Sequence, residues 1–464
     1  MRTRPPHFSG KAHTARSLAL QILIESHRGD AFAQELLDKR LSETALSAPD
    51  RRLATQLVYG VLRRRGTLDA LLRPRVSRLP HQVEPWLWEA LRLGAFQLAL
   101  LTHVPAHAAI HETVELAATF NRAGAKGFLN AVLRSLVPLL TDDFSSKPAA
   151  DALPWKKGVY RRLTAPTLPE PAQYPVEYVA AGFSFPRWLA ARWMERFGWE
   201  ECLRLGFWFV GPASLWLRCN TLRIDRASFL AALTQAGIAA EPGEHPQAIR
   251  RVEPVTIRDL PGYEEGWFAV QDESAMRVAS ALAPAPGSRV LDLCAAPGGK
   301  TTHLAELMQN QGQIVACDVD DRRLQTLREL CSRLGITIVE AHRLHPERHE
   351  DPPAGPFDAI LVDVPCSNTG VLGRRPEVRW RLRAEDFRRL VPLQTKLLIQ
   401  AVERVNPGGM IVYSTCSIEP EENRQVVQAV LQVVPGLTLE AEEQQSPGRP
   451  ADGGYWARLS KKSI

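Results

Sequence analysis

The sequence predicts a multidomain chain: an all-α bundle, a small α+β middle module, and a C-terminal Rossmann-like α/β domain. Three observations carry this. Apolar residues recur at helical spacing through residues 13–140 with no strand-like alternation. Residues 142–175 lose all periodicity and hold prolines at 148, 154, 166, 169, 171 and 175. From about Val252, short β-branched runs alternate with helical stretches. The length of 464 residues fits roughly three domains at about 150 residues each.

The elements follow in order. Thr14–Leu41 reads as one helix on Leu18, Ile22, Leu36, Leu37 and Leu41. The pattern returns at Leu53–Leu62, Leu87–Leu98 and Ala117–Leu136, and helices without strands pack as a bundle. The proline-dense 142–175 reads as a linker. Trp188–Phe209 reads as a helix, Leu215–Leu222 as a strand, and Ser228–Ala236 as a helix stopped by Gly237. Trp188, Trp193, Trp199, Trp208 and Trp216 read as core. The expected strands of the last domain are Ser288–Leu293, Gln313–Cys317, Ile336–Val339, Ala359–Val362 and Met410–Tyr413. Helices are expected near Thr302–Met308, Asp321–Leu334 and Gln394–Val405. Such an alternation builds a doubly wound sheet, whose ligands sit beyond the C-terminal strand ends.

Composition narrows the classes. With 45% hydrophobic and 23% charged residues, the chain is not of the disordered type. No run of about 18 apolar residues predicts a membrane span. Met1-Arg-Thr-Arg-Pro-Pro is followed by no apolar region of a secretory signal, so a cytoplasmic location is expected. Seven cysteines, an odd number with no C-x-x-C, fit neither a disulfide framework nor a zinc site, and no metal is expected. The net charge is +6, but residues 1–150 hold 20 basic and 13 acidic side chains against 37 and 38 in the rest. The basic excess therefore lies wholly in the first third. It reads either as a footprint for a polyanion or as an ordinary solvated surface.

Val290-Leu-Asp-Leu runs into Cys294-Ala-Ala-Pro-Gly-Gly-Lys-Thr301, a glycine turn between strand and helix. Such a turn lets backbone approach a ligand. The motif misses the Walker A pattern only where Cys294 replaces glycine, and Asp363 would then be the Walker B carboxylate, so a P-loop NTPase is a rival. Two features point elsewhere. Ile314-Val-Ala-Cys-Asp318 ends in a carboxylate one β–α unit later, placed to accept from ribose hydroxyls, although a plain helix cap is its bland alternative. Asp363 is followed by Val364-Pro-Cys-Ser367, a thiol that magnesium–phosphate chemistry does not need. S-adenosylmethionine has a ribose and no phosphate.

Cys366 and Cys416 each follow a predicted strand into a polar loop. A thiolate beside a methyl donor has a specific use: added to carbon 6 of a cytosine, it makes carbon 5 nucleophilic. Nearby Lys300 and a helix N-terminus after Cys416 would favour its thiolate. Cys202, Cys219, Cys317 and Cys331 read instead as small buried hydrophobes.

Cys294–Lys300, Asp363-x-Pro-Cys-Ser367 and Ser414-Thr-Cys-Ser417 resemble the three main signatures of the Sun/Fmu family of RNA cytosine-C5 methyltransferases. Gln271-Asp-Glu-Ser274 and Leu217-Arg-Cys-Asn-Thr-Leu222 also resemble its pattern, and the helical N-terminus resembles the RNA-binding fold of NusB. Together these cover almost the whole chain. The resemblance implies 16S rRNA methylation with S-adenosylmethionine as cofactor and small-subunit rRNA as partner, by a monomer acting in the cytoplasm. It divides the chain into a NusB-like domain (1–141), a linker (142–175), an α+β module (176–245) and a methyltransferase domain (246–464). Cys416 would be the nucleophile, and Cys366 would assist product release. Asp363 would hold the cytosine edge and reach the methyl donor. Cys294, Ala295, Ala296, Pro297, Gly298, Gly299 and Lys300 would line the cofactor, with Asp318 on its ribose. Arg374, Arg375 and Arg379, with Arg63, Arg64 and Arg65 from the bundle, would meet RNA phosphates. Three positions depart from the pattern. Val364 and Asn368 replace smaller residues and are expected to add bulk near the base. Ala341 replaces an aspartate that reaches the adenine, a role Glu340 is expected to fill. The alternatives are a methyltransferase for tRNA or another rRNA, the P-loop NTPase, and a non-catalytic NusB-like RNA-binding factor.

Overall fold

The computed structural model describes residues 14–27, 31–78, 80–251, 256–345 and 352–462. Its contacts divide the chain into two compact units, residues 1–213 with 372–382, and residues 214–371 with 383–464.

The first unit opens with six helices: α1 (Ala15–Ser26), α2 (Ala33–Ser42), α3 (Ala48–Leu72), α4 (Pro85–Leu100), α5 (Ala106–Thr119) and α6 (Lys126–Leu136). The single helix expected over 14–41 is two, and Gly29-Asp30, outside the described residues, is a pair of poor helix formers between them. α1 starts at a capping box between Thr14 and Ser17. α3 starts at Ser47, whose side chain accepts from Asp50 N–H. It buries Leu57, Val58, Val61, Leu62, Leu68, Leu71 and Leu72, each of them worth about 1.5–3 kcal/mol. Asp69 is the buried anchor of α4: it accepts from Trp88 Nε1 at 2.9 Å and takes both Nε and Nη2 of Arg92 at 2.7 Å.

Residues 142–175 are not a featureless linker. β1 (Leu140–Ser145), β2 (Ala152–Lys156) and β3 (Val159–Leu163) form an antiparallel sheet in the order β1-β3-β2. Pro154 is tolerated because β2 is an edge strand, where a missing N–H costs no ladder bond. Leu153 and Leu163 join the same core as the helices. Next come α7 (Pro175–Gly182) and α8 (Arg187–Val210), the latter interrupted at Gly198, φ +74°. Of the five tryptophans read as core, Trp193 and Trp216 are fully buried and Trp188, Trp199 and Trp208 only partly so.

The second unit begins with a four-stranded sheet, order β5-β6-β4-β7, built from β4 (Leu215–Cys219), β5 (Ala240–Pro242), β6 (Ala248–Arg251) and β7 (Phe268–Val270), with α9 (Arg226–Gln235) packed beside it. The expected module 176–245 is thus divided: α7 and α8 belong to the first unit, while β6 and β7 carry the sheet past 245. Neither strand shows as an alternating run, since β6 is four residues long and β7 only three.

A seven-stranded sheet follows, assembled from β8 (Arg289–Asp292), β9 (Gln313–Asp318), β10 (Val339–Arg343), β11 (Phe357–Asp363), β12 (Val405–Thr415), β13 (Leu437–Gln445) and β14 (Gly454–Lys461). Its order is β10-β9-β8-β11-β12-β14-β13, parallel except for β14, which runs against both neighbours. Alternate strand residues feed two cores. Val290, Ile314, Ala359 and Leu361 pack with α10 (Glu273–Leu282), α11 (Gly299–Leu307) and α12 (Asp321–Leu334). Leu291, Ile360, Val362 and Ile411 pack with α14 (Phe387–Arg404) and α15 (Arg424–Val433). This two-sided burial is why the inner parallel strands β8, β9, β11 and β12 read as apolar runs. A short α13 (Val378–Arg381) lies in the segment that belongs to the first unit. Among the described residues no helix is long and apolar enough to cross a membrane.

Candidate active site

The C-terminal ends of β8, β9, β11 and β12 converge on one edge of the large sheet. There Asp292, Asp318, Asp363 and Thr415 end their strands. Between β8 and α11 the chain turns through Gly298 at φ +105°, and a Cβ there would lie 2.9 Å from Leu327 Cγ. Only glycine fits both constraints. The turn uses its own N–H groups: Ala295 N–H donates to Cys317 O at 2.9 Å and Ala296 N–H to Asp318 Oδ2 at 3.1 Å. A phosphate cradle would aim those donors at a ligand, so the Walker reading loses its mechanism.

Lys300, in the first turn of α11, is spoken for as well. Its amine donates to Asp363 Oδ2 at 2.7 Å, and Ser414 Oγ donates to Asp363 Oδ1 at 2.7 Å. Burial pulls the Lys300 amine down, but the charge and hydrogen bond of Asp363, and then Cys416, bring it above the ordinary lysine range. It is therefore a fixed cation in the field of the Cys416 sulfur.

Cys366 and Cys416, fifty positions apart, bring their sulfurs to 3.2 Å. Both are partly exposed. The hydrogen bond with Cys416, then burial, push the Cys366 thiol well above its usual value, so Cys366 stays protonated. The helix expected after Cys416 begins at Arg424, and residues 417–423 between them form a polar loop around buried Glu422. Glu422 accepts from Ser367 N–H at 2.8 Å, from Ser367 Oγ, and from Gln394 Nε2 at 3.0 Å, while Ser367 Oγ lies 3.1 Å from Ser417 Oγ. This network clamps the two cysteine loops together. Cys202, Cys219, Cys317 and Cys331 are buried, with thiols pushed up to about 12, 12, 12 and 11 by desolvation. Cys294 is also raised, by burial first.

The remaining predicted residues sort as follows. Asp318 sits at the right edge but caps the turn, also accepting from Asp320 N–H at 3.0 Å. Glu340 cannot replace the missing aspartate: its carboxylate accepts from Gln313 Nε2 at 3.0 Å, and Gln313 begins β9, at the opposite end of the sheet. Val364 places its bulk in the core rather than at the base. Arg379 meets no phosphate: it is fully buried and donates to the carbonyls of Phe183, Ser184, Phe209 and Leu372. Arg64 is likewise buried, on Pro154 O at 2.6 Å and Trp155 O at 2.9 Å. Arg63 donates to Gly373 O at 2.8 Å, Arg65 lies over Trp380, and Arg375 over Phe32. Arg374 is partly exposed.

Residues 279–453 match the family described as 16S rRNA methyltransferase RsmB/F, residues 13–138 the NusB family, and residues 185–258 the ferredoxin-like domain of RsmF/B-like methyltransferases. The probable ribosomal RNA small subunit methyltransferase B of Bacillus subtilis is 34% identical over 93% of this chain and 92% of its own. The chain belongs to the 16S rRNA methyltransferase RsmB/F family. The ribosomal RNA small subunit methyltransferase B of Salmonella agona is 33% identical over 97% of this chain and 100% of its own. The solved structure of the protein PH0851 superposes with TM-score 0.75 at 26% identity, covering 97% of this chain and 99% of that one. This family member is thus an rRNA methyltransferase whose cofactor is S-adenosylmethionine, and the NTPase and non-catalytic readings fall.

The residues fit that cofactor. Buried Asp292 Oδ1 and Gln271 Nε2, both beside the glycine turn, have no protein hydrogen-bond partner. A Cβ on Gly299 would meet nothing nearer than Gln271 Nε2 at 3.8 Å. Among the described residues no group of three or more metal-ligating side chains converges. Sequence reasoning missed Arg218. Its fully buried guanidinium pairs with Glu306 at 2.7 Å and donates to Gly299 O at 2.6 Å and Thr302 Oγ1 at 3.0 Å, fixing the first turn of α11. The signal was the Leu217–Leu222 motif, which carried a family likeness but no derived role.

Proposed function

We propose that this enzyme methylates carbon 5 of one cytosine in 16S rRNA through a covalent bond between Cys416 and carbon 6 of the base. The observation that carries the reading is the pair of sulfurs 3.2 Å apart beside the Lys300–Asp363 ion pair. A single chain supplies every group named, so a monomer suffices, and rRNA as substrate puts its work in the cytoplasm.

Residues 294–300, Asp318 and Asp292 hold S-adenosylmethionine, which when bound supplies an electrophilic sulfonium methyl group. Lys300 favours the thiolate of Cys416, which adds to carbon 6 and leaves carbon 5 electron-rich. Asp363, fixed between Lys300 and Ser414, holds the base edge. Once carbon 5 is methylated its proton passes to water, the C–H electron pair re-forms the ring double bond, and the sulfur–carbon bond breaks with its pair leaving on the Cys416 sulfur. Cys366, held as a thiol at 3.2 Å, donates to the departing sulfur and makes it a better leaving group. The cytosine must be unstacked to reach the thiol, at a cost of a few kcal/mol. The basic first unit supplies sequence-independent attraction for the rRNA backbone.

Cys366→Ala should accumulate a protein–RNA adduct that survives a denaturing gel, because attack is intact and release is slowed. Cys416→Ala should give none, and bisulfite sequencing of 16S rRNA should lose one methylated cytosine. Adducts with the opposite assignment would exchange the two roles, and an unchanged bisulfite pattern would remove the substrate.

A further inference from the structure

Asn368 stands where the resemblance leads one to expect glycine or alanine. Its backbone is left-handed at φ +58°, a region asparagine tolerates better than most side chains. From there its carboxamide reaches both cysteines. Nδ2 donates to Cys366 O at 2.8 Å, and Oδ1 lies 3.2 Å from Cys416 Sγ. The first bond fixes the second: turning the amide over would set its oxygen against a carbonyl oxygen. Cys366 Sγ lies 3.2 Å from the same Cys416 sulfur. The donors therefore line up in one direction, Cys366 S–H to Cys416 and Cys416 S–H to Asn368.

We propose that Asn368 is a positioning residue for the nucleophile, its carboxamide oxygen holding Cys416 as a neutral, oriented thiol in the resting enzyme. This rests on Cys416 being the nucleophile. An amide oxygen stabilises S–H and opposes the negative charge of a thiolate. The titratable groups facing the sulfur pull in both directions. Lys300 on α11 favours the thiolate, and Cys366 can donate to it. Asp363 at the end of β11 opposes it, and Glu422 lies in the loop that follows Cys416. With Asn368 added, the balance at rest lies toward the thiol, the form that electrophiles and oxidants attack slowly.

The test uses full-length protein carrying Cys366→Ala, which keeps the Cys366 carbonyl and removes the sulfur that contacts Cys416. Alkylation of the Cys416 peptide by iodoacetamide is followed by mass spectrometry against pH, without RNA or methyl donor. Asn368→Gly, which accepts the positive φ, should lower the midpoint by about half to one pH unit and raise the rate at pH 7 about 3- to 10-fold. Asn368→Asp, of the same shape with an added negative charge, should raise the midpoint. Midpoints unmoved in both variants, or a faster rate in the glycine variant at an unchanged midpoint, would overturn the proposal. Absence of methylated cytosine in rRNA would sink the proposed function and leave this result standing.

Discussion

At the scale of single residues the site is an arrangement of charges around one sulfur. Lys300 is a fixed cation whose charge acts on Cys416, and Asp363 holds it in place at 2.7 Å. Lys300→Met should therefore move the acid limb of the methyl-transfer pH profile up by about one unit and lower the rate at pH 7 about tenfold. An unshifted limb in that variant would show that Cys416 ionises without help from Lys300. Asp292 gives a stability test. Burial pushes its carboxyl up to about 7, well above the value near 4 of an unfolded chain. The folded protein then holds a proton that the unfolded chain releases. The contribution of Asp292 to stability is therefore fully present below about pH 4 and is lost as pH rises through about 7, by at most about 4 kcal/mol. Asp292→Asn, which keeps an acceptor for Thr301 Oγ1 at 2.8 Å, should flatten that slope in urea titrations between pH 4 and 8.

At the scale of elements, the glycine turn separates two kinds of glycine. Gly298→Ala meets Leu327 at 2.9 Å and a positive φ together, so melting should fall by several degrees and S-adenosylmethionine binding weaken at least tenfold by calorimetry. Gly299→Ala, whose Cβ would meet nothing nearer than Gln271 Nε2 at 3.8 Å, should melt within about two degrees of the parent. Equal melting losses would show that the turn is not held by Gly298. The same elements show what a sequence can reveal. β8, β9, β11 and β12 were legible because they lie inside the sheet and read as apolar runs, whereas β10, an edge strand of sequence Val-Glu-Ala-His-Arg with no buried residue, meets the expected Ile336–Val339 only at Val339. β13 was missed although Leu437-Thr-Leu-Glu-Ala-Glu442 alternates apolar and polar; only the polar run Glu443-Gln-Gln445 at the end of this edge strand breaks the pattern. β2 was hidden by Pro154, which an edge strand tolerates, and β1 and β3 by charged residues, Asp142 and Asp143 in one and Arg161 and Arg162 in the other. Both thiols were legible because each sits just past a strand. Asn368 was not, since neither a left-handed backbone nor the direction of an amide is written in residue order. Arg64 and Arg379 show the converse error: both are arginines in a basic sequence neighbourhood, yet their guanidiniums fold inward onto carbonyls.

At the scale of the whole molecule, the charge asymmetry of the first 150 residues becomes testable only after the buried arginines are set apart. Arg73 and Arg78 are exposed, whereas Arg64 is 4% exposed and satisfied by two carbonyls. Binding of a 16S rRNA fragment measured from 50 to 200 mM salt reports how many phosphates are contacted, since each contributes about 0.7–0.9 to the logarithmic slope. Arg73→Ala with Arg78→Ala should weaken binding and reduce that slope by 1 to 2. Arg64→Ala should leave the slope unchanged and instead lower stability by about 2–4 kcal/mol, because two buried carbonyls lose their donor. The sign of a side chain's charge would then matter less for RNA than whether the fold leaves its head in water. If Arg64→Ala reduced the slope and left melting untouched, the guanidinium would have to leave its carbonyls when RNA binds. If the double variant left the slope unmoved, the basic excess would be an ordinary solvated surface, and rRNA would be held by other groups.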